Sequence, residues 1–231
     1  MNGYPLFLIG LEKRRCVVVG GGREAERKIE GLVECDAATT VIAREVTDRI
    51  RSLAAERRLT WIERPYRSGD LAGAFLVLAE RRDRSTNTRI WNEAQSEGAL
   101  INVMDDVEHC DFIAGSVIRR GPLTVAISTG GCAPALAVRL RERLQRELGP
   151  EYAIFLEMMR AVREPMTRRY PDFDERRARW YELMDSDILE HLRSGRTELA
   201  RARLELVVGP ELKTNRKTNR KGDRLKSVPG V

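Results

Sequence analysis

The apolar positions of the first 110 residues alternate between unbroken runs and helical spacing. Leu6–Gly10 is a short apolar run, followed by a turn around Glu12–Arg14. Cys16–Val19 is a continuous apolar run that ends in Gly20, Gly21 and Gly22. A run without polar alternation fits a parallel strand buried on both faces. Ala25, Ile29, Leu32 and Val33 then recur at the spacing of one helix face. Thr39–Ala43 predicts a second strand, Val46, Ile50, Leu53 and Ala54 a second helix, and Leu59–Ile62 a short third strand. Ala74–Ala79 predicts a stronger strand, Arg84–Glu97 a helix with Ile90 and Ala94 on its apolar face, and Ala99–Val103 the closing strand. This order predicts an α/β fold built on a doubly wound parallel sheet.

Beyond residue 110 the pattern changes. Phe112–Ile118 and Leu123–Ser128 read as strands around a turn at Arg120, Gly121 and Pro122, and a helix runs from Pro134 to Leu148. From Glu151 the signals are all helical: Tyr152, Phe155, Leu156 and Met159, then Trp180, Leu183 and Met184, then Ile188, Leu189 and Leu192, then Leu199, Leu204 and Leu206. The chain therefore reads as a dinucleotide-type domain (residues 1–113), a short middle segment (114–148), a helical C-terminal domain (149–210) and a tail (211–231).

Charge changes the picture only at that tail. The net charge is +6, and residues 211–231 carry +5 of it, from seven Lys or Arg against two acids. The remainder is close to neutral, which argues against a nucleic-acid partner. The tail repeats KTNR and holds almost no apolar residues, so it is expected to be a disordered basic tail. It has no aromatic residue with which to stack bases. Cys16, Cys35, Cys110 and Cys132 form no C-x-x-C pair, and only His109 and His191 accompany them, so no dedicated metal site is expected. Cys16 reads as a small buried hydrophobe. Met1–Pro5 lacks the basic start of a signal peptide, and no run nears the roughly 18 apolar residues of a membrane span. A cytoplasmic protein with reduced thiols and no membrane partner is expected.

The glycine run carries the first chemistry. Gly20, Gly22 and Ala25 fill the small-residue positions of G-x-G-x-x-G/A between a buried strand and an amphipathic helix. In that setting the glycines permit a tight turn and close approach of a pyrophosphate, and the helix start, with Gly21, Arg23 and Glu24, offers N–H groups to the phosphates. The acid that usually ends the second strand and binds ribose hydroxyls is missing. Ala43 and Arg44 stand there, with Glu45 slightly later. Arg44 is compatible with a 2′-phosphate, so this feature leaves NAD and NADP both open. Arg27 and Lys28 read as surface charges on the helix.

Three blocks then carry a resemblance. GGGREAERK at 20–28, INVMDDVEHCDFI at 101–113 and LTVAISTGGCAPALAVRLRERL at 123–144 resemble the precorrin-2 dehydrogenase/sirohydrochlorin ferrochelatase family, which includes the N-terminal module of siroheme synthase. Their order and spacing match over residues 4–148. The resemblance implies a Rossmann domain, a middle dimerisation segment, a helical C-terminal domain, and a homodimer with its active site near the dimer junction. It implies NAD-dependent oxidation of precorrin-2 to sirohydrochlorin in siroheme biosynthesis. In some members Fe²⁺ is a further substrate, inserted to give siroheme. It makes Asp105, the first acid of the N-V-x-D block, the essential aspartate, and places Ala79 and Glu80 near the nucleotide. The chain departs from the family at Glu80, where Ala-Thr is frequent, at Cys132, and at Ala114–Ser116. A non-catalytic nucleotide-binding scaffold or sensor of tetrapyrrole metabolism is the alternative.

Read as chemistry, Asp105 sits just past a parallel strand, at the end where doubly wound folds place ligands. A carboxylate there serves as a base, or ligates a hard divalent cation. From spacing alone a turn-forming Asp is equally natural, and Asp106 is assigned to the turn. His109 shares proton transfer or is a turn residue. His191 reads as structural. Ser128, Thr129, Gly130 and Gly131 end a strand before a helix with Pro134 in its first turn, which builds an anion site for a polycarboxylate substrate, with Arg119 and Arg120 adding bidentate contacts.

Overall fold

Cys16, Val17 and Val18 are wholly buried, and they lie in the middle strand of a five-stranded sheet. The computed structural model describes residues 3–80 and 83–209. The chain divides into two compact units, Met1–Ala114 and Gly115–Val231. The expected tail at 211–231 lies outside the described residues.

In the first unit the elements run β1 (Arg15–Val19), α1 (Arg23–Glu34), β2 (Ala38–Ala43), α2 (Asp48–Ala55), β3 (Thr60–Glu63), β4 (Leu76–Ala79), α3 (Arg84–Ser96) and β5 (Leu100–Val103). The sheet order is β3-β2-β1-β4-β5, every pair parallel. Successive side chains of β1 go to opposite faces. Cys16 and Val18 join Ile29, Leu32 and Ile50 of α1 and α2, while Val17 and Val19 join Ile90 and Ala94 of α3. That two-sided burial is why the strand has no polar alternation. Each such Val, Leu or Ile contributes about 1.5–3 kcal/mol. Two helices begin where a side chain accepts an otherwise orphaned N–H: Thr47 accepts from Ile50, and Asp83 from Thr86.

Residues 64–75 join β3 to β4 without a helix, and polar contacts hold them. Arg64 makes a two-pronged pair with Asp70 (2.6 and 2.7 Å), Asp70 also accepts from the Arg67 N–H, and Glu93 of α3 accepts from the Leu71 N–H and the Tyr66 hydroxyl.

The second unit starts with an antiparallel hairpin, β6 (Ser116–Arg120) and β7 (Leu123–Ile127), followed by α4 (Pro134–Glu147). Four helices then gather on their own core: α5 (Glu151–Arg169), α6 (Phe173–Met184), α7 (Ile188–Arg193) and α8 (Thr197–Val208). Glu151 is buried among them and pairs with Arg193 at 2.9 Å.

Three expectations shift. Leu6–Gly10 forms no regular element, and Leu6 and Ile9 are exposed. The strand expected from Phe112 starts only at Ser116, because Asp111 accepts from the Ile101 N–H and the Phe112 carbonyl accepts from the Asn102 amide, folding that stretch onto β5. In α8 the buried face is Ala200, Leu204, Val207 and Val208, while Leu199 and Leu206 are exposed.

Candidate functional site

β1 carries β2 on one side and β4 on the other, so its carboxyl end is the switch point of the sheet. The three glycines stand there, each for a different reason. Gly20 has φ +125°, a left-handed conformation that only glycine takes cheaply. Gly21 accepts from the Thr47 N–H, and a Cβ on it would collide with the Glu45 carbonyl oxygen, so it lets the β2–α2 connection lie against the loop. Gly22 caps α1 at φ −78°, which any residue adopts; what it lacks is room. A Cβ on Gly22 would come within 2.6 Å of Glu80 Oε1, and one on Gly20 within 2.5 Å of Glu80 Oε2. The Glu80 carboxylate therefore lies over the loop, and Oε1 is 3.4 Å from the donating Ala25 N–H in the first turn of α1.

Ala25 is fully buried, as close helix–strand packing requires, while Arg23 and Glu24 are exposed. Ala43 and Ala79 are buried, and their carbonyls accept from the Trp61 indole (3.0 Å) and the Met104 N–H (2.8 Å). Arg44 and Glu45 are exposed just past β2. Arg27 is a surface charge, but Lys28 is half-buried, and burial pushes its ammonium pKa down.

The register aligns Val19, Ala79 and Val103, so Gly20, Glu80 and Met104 follow in a row along one sheet edge. Asp105 comes next. It is exposed and left-handed (φ +57°), a conformation Asp tolerates. The Asp106 N–H closes the turn onto the Val103 carbonyl at 3.2 Å. A 3-10 turn at Val107–His109 then brings residues three apart into line. Asp106 Oδ2 is 2.8 Å from Asn87 Nδ2 and 2.9 Å from His109 Nδ1, the latter a close contact without hydrogen-bond alignment. His109 Nε2 is 3.2 Å from the Thr88 hydroxyl, and its ring meets Trp91 edge-on at 5.9 Å. Asp106 is therefore more than a turn residue. Asn87 and Thr88 carry no signal in the sequence, and the pattern there gives Asp106 only a turn, although D-x-x-H in a tight turn signals such a contact.

In the second unit, the hydroxyls after β7 brace their own loop. Ser128 Oγ accepts from the Gly130 N–H (3.1 Å) and Thr129 Oγ1 from the Ala133 N–H (3.2 Å), with Gly130 and Gly131 both at positive φ. Pro134 opens α4. Arg120 donates to the Leu148 and Gln145 carbonyls at the far end of α4, a packing task. Arg119 is exposed.

Comparison with known proteins joins the units into one family pattern. Residues 7–116 match an NAD(P)-binding family, residues 120–147 the family described as sirohaem biosynthesis protein central, and residues 151–206 the sirohaem synthase dimerisation region. Together the three matches run from residue 7 to residue 206, and the chain is similar in sequence to siroheme synthases. It is 37% identical over 180 residues to the siroheme synthase of Neisseria meningitidis serogroup B, covering 78% of this chain and 37% of that one. It is 34% identical over 208 residues to that of Methylobacillus flagellatus, covering 90% and 44%. The chain thus spans less than half the length of these curated relatives. A solved structure titled SirC, precorrin-2 dehydrogenase, shares its fold at a TM-score of 0.69 and 25% identity, over 90% of this chain and 98% of that one.

The backbone of the first unit fits a dinucleotide phosphate: a glycine-lined approach, an N-terminal helix turn and the switch-point location. Glu80, the departure from Ala-Thr, is the side chain lying over that approach. Cys132, another departure, is exposed. Cys16 is wholly buried, and burial pushes its thiol up to about 11. Among the described residues no three His, Cys, Asp or Glu side chains gather as a metal site, and no helix is long and apolar enough to cross a membrane.

Proposed function

We propose that this chain oxidises precorrin-2 to sirohydrochlorin with NAD as hydride acceptor, working as a homodimer. The observation that carries the reading is the shared edge: the glycine loop after β1 and Asp105 after β5 stand at the carboxyl ends of one parallel sheet, with β4 between them. Adjacent strands lie about 4.8 Å apart, so the two features are roughly 10 Å apart in the sheet direction. The likeness to a structure titled precorrin-2 dehydrogenase supports the same reading.

Bound NAD⁺ supplies a two-electron acceptor. The α1 N-terminus and the glycines would hold its pyrophosphate. Oxidation also releases a proton, and Asp105, exposed at the edge, accepts it or positions the substrate for its loss. His109 is placed to support that step: its ring bonds to the Thr88 hydroxyl and lies against Asp106, in the turn that presents Asp105. Ser128, Thr129, Gly130 and Gly131, with Arg119, bind substrate carboxylates at the start of α4. Arg120 is assigned to holding α4 in place. Fe²⁺ is proposed as a further substrate, met by the hard oxygens of Asp105. The four free cysteines fit a cytoplasmic setting.

The test is anaerobic: precorrin-2 and NAD⁺ are mixed with the protein, NADH absorbance is followed, and Fe²⁺ is then added while the siroheme spectrum is watched. One NADH per sirohydrochlorin is the expected result. NAD binding without any NADH would instead favour a nucleotide-binding scaffold.

A further inference from the structure

Glu80 follows β4, the strand beside β1 at the switch point, and its N–H donates to the Val19 carbonyl at 2.9 Å. That backbone bond fixes where its side chain starts. From there the carboxylate reaches across the glycine loop: Oε1 and Oε2 lie 2.6 and 2.5 Å from where a Cβ would stand on Gly22 and Gly20, and Oε1 is 3.4 Å from the Ala25 N–H. Two anions cannot share this place. A helix N-terminus favours negative charge from whichever group sits there. A pyrophosphate approaching the loop meets a carboxylate already using that field and that N–H.

We propose that Glu80 is an internal competitor for the pyrophosphate seat, a built-in anion that must swing aside before the dinucleotide binds and so sets its affinity low. This rests on the assignment of the loop to NAD. The carboxylate is at the end of a flexible side chain, so rotation opens the seat without moving β4. Only the fraction of molecules with Glu80 turned away is competent, and the apparent dissociation constant rises by the inverse of that fraction. A Thr or Ala at 80 lacks both the reach and the charge. Glu80 therefore tunes cofactor affinity and is not itself a catalytic residue.

The two sides of the competition move oppositely. Without cofactor, losing the carboxylate removes a favourable anion from the α1 N-terminus, so thermal stability falls. With cofactor, binding tightens. A side chain with only a structural role would not improve binding when removed.

The experiment titrates NAD⁺ and NADH by calorimetry into the wild-type protein, Glu80→Gln, Glu80→Ala and Glu80→Thr, with Gly22→Asp as a check on the site. Glu80→Ala and Glu80→Thr are expected to bind at least tenfold more tightly, about 1.4 kcal/mol. Glu80→Gln, which keeps the acceptor atom and loses the charge, should fall between. The unliganded Glu80→Ala melting temperature should drop. Equal constants across the series, with Gly22→Asp still impaired, overturn the competitor and leave the cofactor site standing. Weaker binding in the Glu80 variants also overturns it and makes Glu80 a cofactor contact. No binding to any of the proteins removes the NAD assignment and the competitor together.

Discussion

At the scale of single residues, the loop and the acid pair make separable predictions. Gly22 has ordinary backbone angles and its Cβ would meet only the flexible end of Glu80, so Gly22→Asp displaces that side chain without straining the backbone and puts a second carboxylate at the loop. NAD affinity is expected to fall more than tenfold, about 1.4 kcal/mol. An unchanged calorimetric constant sinks the assignment of the loop. Asp105 is exposed beyond β5, whereas Asp106 is tied to Asn87 and His109. Asp105→Asn keeps the volume and loses the proton acceptor. It should lower single-turnover NADH formation by at least about 100-fold with NAD binding retained, within the usual range for acid–base groups. Asp106→Asn and His109→Gln should cost less rate, but they loosen the turn and lower stability by about 1 kcal/mol. Full turnover in Asp105→Asn would move the chemistry to His109.

At the scale of elements, the parallel strands were legible because a strand buried on both faces has to be apolar throughout, as Cys16–Val19 and Leu76–Ala79 are. The glycine loop was legible for the same local reason. Asp106 was not, because its role depends on Asn87, nearly twenty residues away in α3, and sequence spacing does not report a contact between α3 and the turn after β5. The reach of Glu80 over Gly20 and Gly22 was hidden likewise, although its departure from Ala-Thr pointed to the position. The β3–β4 connection was also unreadable, being held by polar pairs. Asp70 and Arg64 are 11% and 29% exposed, and the guanidinium holds the Asp70 carboxyl below the usual carboxylate range. Since this pKa is depressed by folding, the pair's stabilisation is complete above about pH 4 and is lost as pH falls through the lowered value. Asp70→Asn should cost about 2 kcal/mol at neutral pH. Denaturant melts should show the gap to wild type narrowing progressively below about pH 4. A gap that stays constant down the acid limb contradicts this account.

At the scale of the whole molecule, the hairpin and α4 form a segment that the described residues leave largely uncovered. β6 and β7 bury only Ile118, and α4 buries only Ala137. Val117, Leu136, Val138 and Leu140 remain exposed on them. A two-stranded hairpin is at best marginal in water without an apolar neighbour, so this segment is built to be covered. The adjoining residues match a dimerisation region, and the occupant proposed is a second copy. A stable interface buries at least about 1,200 Å² in total, which an exposed helix and hairpin from each of two chains are suited to supply. Light scattering at micromolar concentration should therefore give twice the chain mass for the wild type. Leu136→Asp combined with Leu140→Asp places two charges on one helix face and should give the monomer. The first unit has its own core and its own glycine loop, so this monomer is expected to bind NAD as the dimer does. Its turnover is nevertheless expected to fall, because the altered helix starts directly after the substrate-carboxylate loop proposed at Ser128–Gly131. A monomeric variant with intact helicity and wild-type turnover would show that one chain holds the whole site, and the dimer would then serve stability alone.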